Sequence, residues 1–185
     1  MSTPTTNQPP AQLSRRQRLL AIWGRDLLIA LGLSTFFILF LYQPVRVEGT
    51  SMLPGLQDQE RIFINKFVYK LEPIERGDIV VFHPPFDPSQ SYIKRVIGIS
   101  GDRVRIVDGQ VFVNGSPVRE PYVPGEYFDY HSMAQTTVPP HSYFLLGDHR
   151  SLSKDSRDFG AVDQSYIYGK AVFVYWPVDK LGILR

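Results

Sequence analysis

The spacing of apolar and polar positions changes character twice along this chain. From Leu27 to Tyr42 the run LLIALGLSTFFILFLY carries no charge and no polar face, the pattern of a helix that is apolar all round rather than amphipathic. As a helix this run spans about 24 Å, short of a hydrocarbon core of roughly 30 Å. Trp23 on one side and Tyr42-Gln43 on the other can act as interfacial anchors, and local thinning of the bilayer can close the gap. The run ends in Leu41-Tyr42-Gln43-Pro44, without the small residues that a signal-peptide cleavage site needs. An uncleaved membrane anchor over residues 27–43 is therefore expected, in preference to a removed leader or a buried core helix.

Before the anchor, residues 1–12 are Ser, Thr, Pro, Gln and Asn with almost nothing to bury, and residues 1–26 are expected to form a largely disordered tail. Arg15, Arg16, Arg18 and Arg25 lie on this side. The positive-inside rule then puts the N-terminus in the cytoplasm and residues 44–185 on the extracytoplasmic side.

Beyond Pro44 the period becomes two. Arg61 to Phe67 and Asp78 to His83 are rich in Ile, Val and Phe and bounded by turn residues, and Tyr92 to Ile99 follows a Pro-rich loop; each reads as a strand. The clearest hairpin is Asp102 to Asn114, DRVRIVDGQVFVN. Asp108-Gly109 suits a two-residue turn whose central residues both need positive φ. That turn sets Ile106 opposite Val111 and Val104 opposite Val113, all on one face, with Arg103, Arg105 and Phe112 on the other. Residues 117–140 read as loop, Ser142 to Leu146 as a strand running into Gly147-Asp148, and Lys170 to Trp176 as a last buried strand. The expected architecture is mainly β: one N-terminal transmembrane helix, then one predominantly antiparallel β domain.

Composition narrows the class. The 15 prolines, 14 glycines, 10 tyrosines and 12 phenylalanines fit strands and turns better than a helix bundle. A net charge of +2 without a basic block in the folded part argues against a nucleic-acid partner. With no cysteine there is neither a disulfide framework nor a thiolate metal site.

The candidate chemistry centres on Glu48-Gly49-Thr50-Ser51-Met52-Leu53-Pro54, a turn able to expose a hydroxyl with a backbone amide beside it. A serine needs a base before it is a nucleophile. His83, His131, His141 and His149 sit in Pro- or Gly-bounded segments, and their scatter lacks metal-ligand spacing. Lys94 lies on a strand, sharing a face with Tyr92 and Val96 while Ile93 and Arg95 point the other way. Burial would lower its pKa and leave a neutral amine usable as a general base, whereas a snorkelling stem would leave it an ordinary charged lysine. From these residues alone, Ser51 remains open as a turn residue, part of a Ser-His-Asp triad or partner of Lys94.

Four segments in order, EGTSMLPGL, RGDIVVF, YIKRVIGISGD and GDHRSLSKDSRDFG, resemble the boxes of bacterial and organellar type I signal peptidases. The resemblance runs from about Glu48 to Gly169. It implies a membrane-bound serine endopeptidase that removes signal peptides from exported preproteins through a Ser/Lys dyad and an acyl-enzyme, without cofactor or metal. Ser51 would be the nucleophile and Lys94 the general base. Ser153 would hydrogen-bond the Lys94 amine, Asp155 and Arg157 would pair to hold their loop against the dyad, and Asp148 and Arg150 belong to the same supporting box. Met52, Tyr92 and Ile93 would shape the substrate cleft.

The implied partners are the lipid bilayer and preproteins with small residues before the cut; association with export machinery stays open. The chain departs from the family pattern at Gly55, where Thr is usual, at His149, where Asn is usual, and at Gly49, where some members carry a serine that helps the oxyanion hole. The alternatives are a Ser/Lys peptidase dedicated to one substrate class and a non-catalytic anchored β module.

Overall fold

The computed structural model describes residues 15–184, with the side chains of 37–39 left out. Of the tail expected over residues 1–26, residues 1–14 lie outside the described residues, and residues 15–26 are helical rather than disordered. The chain divides between Phe40 and Leu41 into two units.

The first unit is a helix, α1 (Arg15–Leu41), of 27 residues. At 1.5 Å per residue it is about 40 Å long, ample for a core of roughly 30 Å. Leu20, Trp23, Leu27, Leu28, Leu31 and Phe36 on it are all exposed; an apolar surface on every side is what lipid accepts and water does not. Among the described residues this is the one helix long and apolar enough to cross a membrane, and it is consistent with an anchor. The uncharged run makes up its second half. The preceding residues 15–26, good helix formers such as Arg, Gln, Leu and Ala, extend it towards the N-terminus, with Arg25 paired to Asp26 at 2.9 Å.

The second unit is built from antiparallel strands. Its larger sheet contains β1 (Tyr42–Arg46), β2 (Arg61–Asn65), β3 (Ile79–Phe82) and β4 (Tyr92–Gly98). Its smaller sheet contains β5 (Arg103–Val107), β6 (Gln110–Val113), β7 (Ser116–Pro117) and β8 (Met133–Thr137). The chain then returns to the larger sheet through β9 (Ser142–Leu146), β10 (Val162–Asp163), β11 (Ile167–Trp176) and β12 (Gly182–Ile183). Strand order in the larger sheet is β1-β2-β11-β3-β4-β9-β10, with β12 on β11, and in the smaller one β7-β6-β5-β8. Two short helices, α2 (Val68–Leu71) and α3 (Ser156–Phe159), lie between strands.

The hairpin has the expected register, Ile106 opposite Val111 and Val104 opposite Val113. Asp108 and Gly109 take φ of 45° and 78°, as a turn matched to strand twist requires. All four inward residues are buried and pack with Ile97, Phe144 and Leu146 of the larger sheet. Strand β8 departs from the expected loop. Its residues MAQTT are mostly exposed, so it carries little hydrophobic pattern and gains its conformation by pairing with β5.

The larger sheet is covered on both faces. On β3, Ile79 and Val81 join a cluster with Val47, Met52, Leu56, Ile62 and Ile64, while Val80 and Phe82 join Val96, Tyr143 and Leu145 on the other side. Each such side chain contributes about 1.5–3 kcal/mol when fully buried. Strand β4 therefore runs through the interior, and any charge on it must be paired or neutralised.

Candidate active site

The turn after β1 is shaped by local bonds. Gly49 takes φ of 94°, a conformation a side chain would strain, and its amide donates to Asp58 Oδ1 at 2.9 Å. The Leu53 amide then donates to the Thr50 carbonyl at 3.1 Å and the Leu56 amide to the Met52 carbonyl at 2.8 Å. Successive side chains leave this turn in opposite directions. Met52 goes inward, 1% exposed, into the core cluster; Ser51 turns outward to a cleft.

Lys94 meets Ser51 there. Its Nζ donates to Ser51 Oγ at 2.7 Å and to the Ile93 carbonyl at 3.0 Å, and lies 5.4 Å from the centre of the Tyr92 ring. The side chain is 3% exposed. Burial lowers its pKa from the ordinary 10.5 to about 8, against the pull of the Asp155 and Asp148 carboxylates. A substantial fraction of the amine is then neutral near pH 8, whereas an exposed lysine is almost wholly charged there.

The segment after β9 closes the other side. Arg95, next to Lys94 but on the opposite face of β4, makes a two-point ion pair with Asp148, Nε to Oδ1 at 2.9 Å and Nη2 to Oδ2 at 2.7 Å. Arg150 donates to the Gly147 carbonyl at 3.0 Å and to both Glu120 oxygens at 3.0 and 2.5 Å. Asp155 caps α3, accepts from the Gly147 amide at 3.0 Å, and pairs with Arg157 Nε at 2.8 Å. Arg157 also holds Asp129 and donates to the Arg150 carbonyl at 2.8 Å. Seven buried or half-buried charged groups are thus joined in ion pairs around one lysine that is left to shed its proton.

The cleft, about 600 Å³, is lined by Ser51, Lys94, Tyr92 and Ile93, with Val45, Val47, Ile62 and Val81 as apolar walls. Of the sequence-predicted residues, Ser51, Lys94, Tyr92 and Ile93 come together here. Met52 does not line the cleft but packs beneath it, the inward half of the turn. Ser153 Oγ is buried and makes no hydrogen bond among the described residues; it lies against Gly147, while Lys94 directs its donors to Ser51 and Ile93.

None of the histidines bonds Ser51 Oγ among the described residues. His83 Nδ1 is 2.9 Å from the Gln90 carbonyl and its ring stacks on Tyr168, and the His149 ring sits on the Thr50 carbonyl. No group of three or more potential metal ligands is found among the described residues.

Three partners escaped the sequence reading: Arg95, Glu120 and Asp129, the last set beside Arg157 only by the tertiary fold. Arg95 had a signal, since a second cation on a buried strand needs an acid. Glu120 had none, because it stands in an irregular segment and meets Arg150 only through the tertiary fold.

The arrangement can generate an alkoxide-like nucleophile by proton transfer to a neighbouring amine, beside a cleft lined by both apolar and polar side chains. The model of the family described as "Signal peptidase, peptidase S26" matches residues 20–176. The chain is 37% identical over 190 residues to signal peptidase I of Leptolyngbya laminosa, covering 98% of this chain and 89% of that protein. It is 40% identical over 156 residues to signal peptidase I of Bacillus caldolyticus, covering 78% and 85%. A crystal structure of a signal peptidase I from Enterococcus faecalis V583 matches at 31% identity with a TM-score of 0.48, over 54% of this chain and 97% of that one.

Proposed function

The chain belongs to the signal peptidases of peptidase family S26, as a type I enzyme that removes signal peptides, and we propose that it does so with Ser51 as nucleophile and Lys94 as general base. The observation that carries this reading is the 2.7 Å contact between Lys94 Nζ and Ser51 Oγ, made by a lysine that burial brings to a pKa of about 8.

In the first step neutral Lys94 takes the Oγ proton as Oγ bonds to the scissile carbonyl carbon. The carbonyl oxygen becomes an oxyanion held by the Ser51 amide. Collapse breaks the C–N bond, and the ammonium of Lys94 gives its proton to the leaving amine. The acyl-enzyme is then attacked by water, which passes a proton to Lys94 as the C–O bond forms. The second tetrahedral intermediate releases Oγ, which recovers a proton from Lys94.

The preferred substrates in this reading are preproteins with small side chains before the cut, lying extended along Tyr92 and Ile93. The valine and isoleucine walls of the cleft support that choice. Asp148, Arg150, Asp155 and Arg157 act as supports that fix the loop beside the dyad. Helix α1 is the anchor, with the arginines and N-terminus in the cytoplasm and residues 44–185 outside.

The test is cleavage of a preprotein by the full-length protein in detergent, beside Ser51→Ala and Lys94→Ala. Cleavage after the signal segment by the native protein alone supports the dyad. Retained cleavage in both variants moves the chemistry to other residues.

A further inference from the structure

The peptide unit that supplies the Ser51 N–H also carries the Thr50 carbonyl. In a trans peptide these two groups point in opposite directions within one plane, so whatever holds the carbonyl aims the N–H. His149 Nδ1 lies 3.2 Å from the Thr50 carbonyl oxygen. A carbonyl oxygen can only accept, so Nδ1 carries the proton, and the neutral ring is the Nδ1–H tautomer. The Leu53 amide takes the other acceptor position on the same oxygen, at 3.1 Å.

The backbone amide of His149 donates in turn to the Ser51 carbonyl at 3.0 Å. Both peptide units that flank the nucleophile are therefore tied to one residue. The ring has little freedom to leave. It is 8% exposed and packs edge to face on Tyr127, with ring centres 4.6 Å apart.

We propose that His149 is a positioning residue for the oxyanion hole: its Nδ1–H holds and polarises the Thr50 carbonyl, and so directs the Ser51 amide at the developing oxyanion. This rests on the reading of Ser51 as nucleophile with its own amide as donor. A hydrogen bond to a peptide carbonyl draws electrons from the nitrogen, which makes the N–H on the far side a stronger donor. The effect grows where charge develops and leaves ground-state substrate binding nearly untouched. His149 is not the base in this scheme. Its ring makes no hydrogen bond to Ser51 Oγ among the described residues, and that hydroxyl is already bonded to Lys94.

The experiment measures kcat and KM of the full-length protein in detergent on a preprotein, for wild type, His149→Ala and His149→Asn, with Ser51→Ala as control and a thermal midpoint for each. Asparagine can present its Nδ2–H from nearly the place of Nδ1–H. The expected result is a loss of about tenfold in kcat for His149→Ala, less than the 10²–10³ of losing an oxyanion donor outright, with KM little changed. His149→Asn recovers most of that loss, and nitrogen NMR of the His149 ring in the native protein finds the proton on Nδ1. Wild-type kcat in His149→Ala, equal losses in both variants, or a proton on Nε2 overturns the inference. Cleavage by Ser51→Ala is a separate outcome, which removes the nucleophile reading itself and this inference with it.

Discussion

Arg95 and Asp148 face each other across 2.9 and 2.7 Å hydrogen bonds with side-chain exposures of 3% and 0%. The pair ties the strand that carries Lys94 to the segment that packs on Ser51. Arg95 also donates to the Gly77 carbonyl at 3.0 Å and lies 4.0 Å from the centre of the Tyr122 ring. Losing one member leaves a buried charge without its partner, which costs about 3–5 kcal/mol. Asp148→Ala is thus expected to unfold at much lower denaturant than wild type. The double variant Arg95→Met with Asp148→Leu should recover a large part of the difference, because neither charge then needs a partner. Equal instability of the single and double variants would contradict this reading.

Gly147 is a contact point between the supporting loop and the nucleophile. A Cβ there would meet the Ser153 side chain and approach the Ser51 carbonyl oxygen to 2.5 Å. The Ser153 hydroxyl can turn aside, but the Ser153 Cβ, also 2.5 Å away, moves only with its backbone, and the carbonyl moves only with Ser51. Overpacking of this kind costs about 1–3 kcal/mol, and misplacing a reacting group by about 1 Å can cost 10²-fold in rate. Gly147→Ala is expected to lose kcat well beyond what its shift in thermal midpoint accounts for. Unchanged kcat would mean that the loop yields without moving Ser51.

The buried lysine is itself a stability cost. With a folded pKa of about 8 against an ordinary 10.5, the unfolded chain binds more protons than the folded one between those values. Stability therefore rises with pH through that window, and the penalty is complete below it. The difference corresponds to roughly 3 kcal/mol. Lys94→Met should be more stable than wild type at pH 7 by up to that amount, with the advantage shrinking towards pH 10.5. Chemical unfolding at the two pH values checks it, and an advantage independent of pH would contradict it.

What was legible in the sequence was what local chemistry decides. The 102–114 hairpin combines turn residues and alternation that agree, so its register could be read directly. Lys94 could be placed on a shared face with Tyr92 because side-chain direction in a strand is a matter of parity. Strand β8 was not legible because its residues are polar and exposed and their partner is distant in sequence. The resemblance put Met52 in the cleft; its inward direction depends on how the turn seats on the core, which the motif does not specify. Glu120 became visible only when the fold set it beside Arg150.

The charges around Lys94 should tune it in opposite senses. The Asp155 carboxylate favours the ammonium form and the Arg157 guanidinium disfavours it. Asp155→Asn is expected to move the acid limb of the rate profile to lower pH, and Arg157→Gln to move it to higher pH. Shifts in the same direction would indicate a general loosening of the loop.

The most direct test of the Ser51–Lys94 dyad is the single-turnover rate of preprotein cleavage by the full-length protein, measured as a function of pH. The dyad predicts a rate that rises tenfold per pH unit on the acid side and levels off above an apparent pKa of about 8, as the Lys94 amine loses its proton. A rate that stays flat from acid to alkaline pH would contradict it.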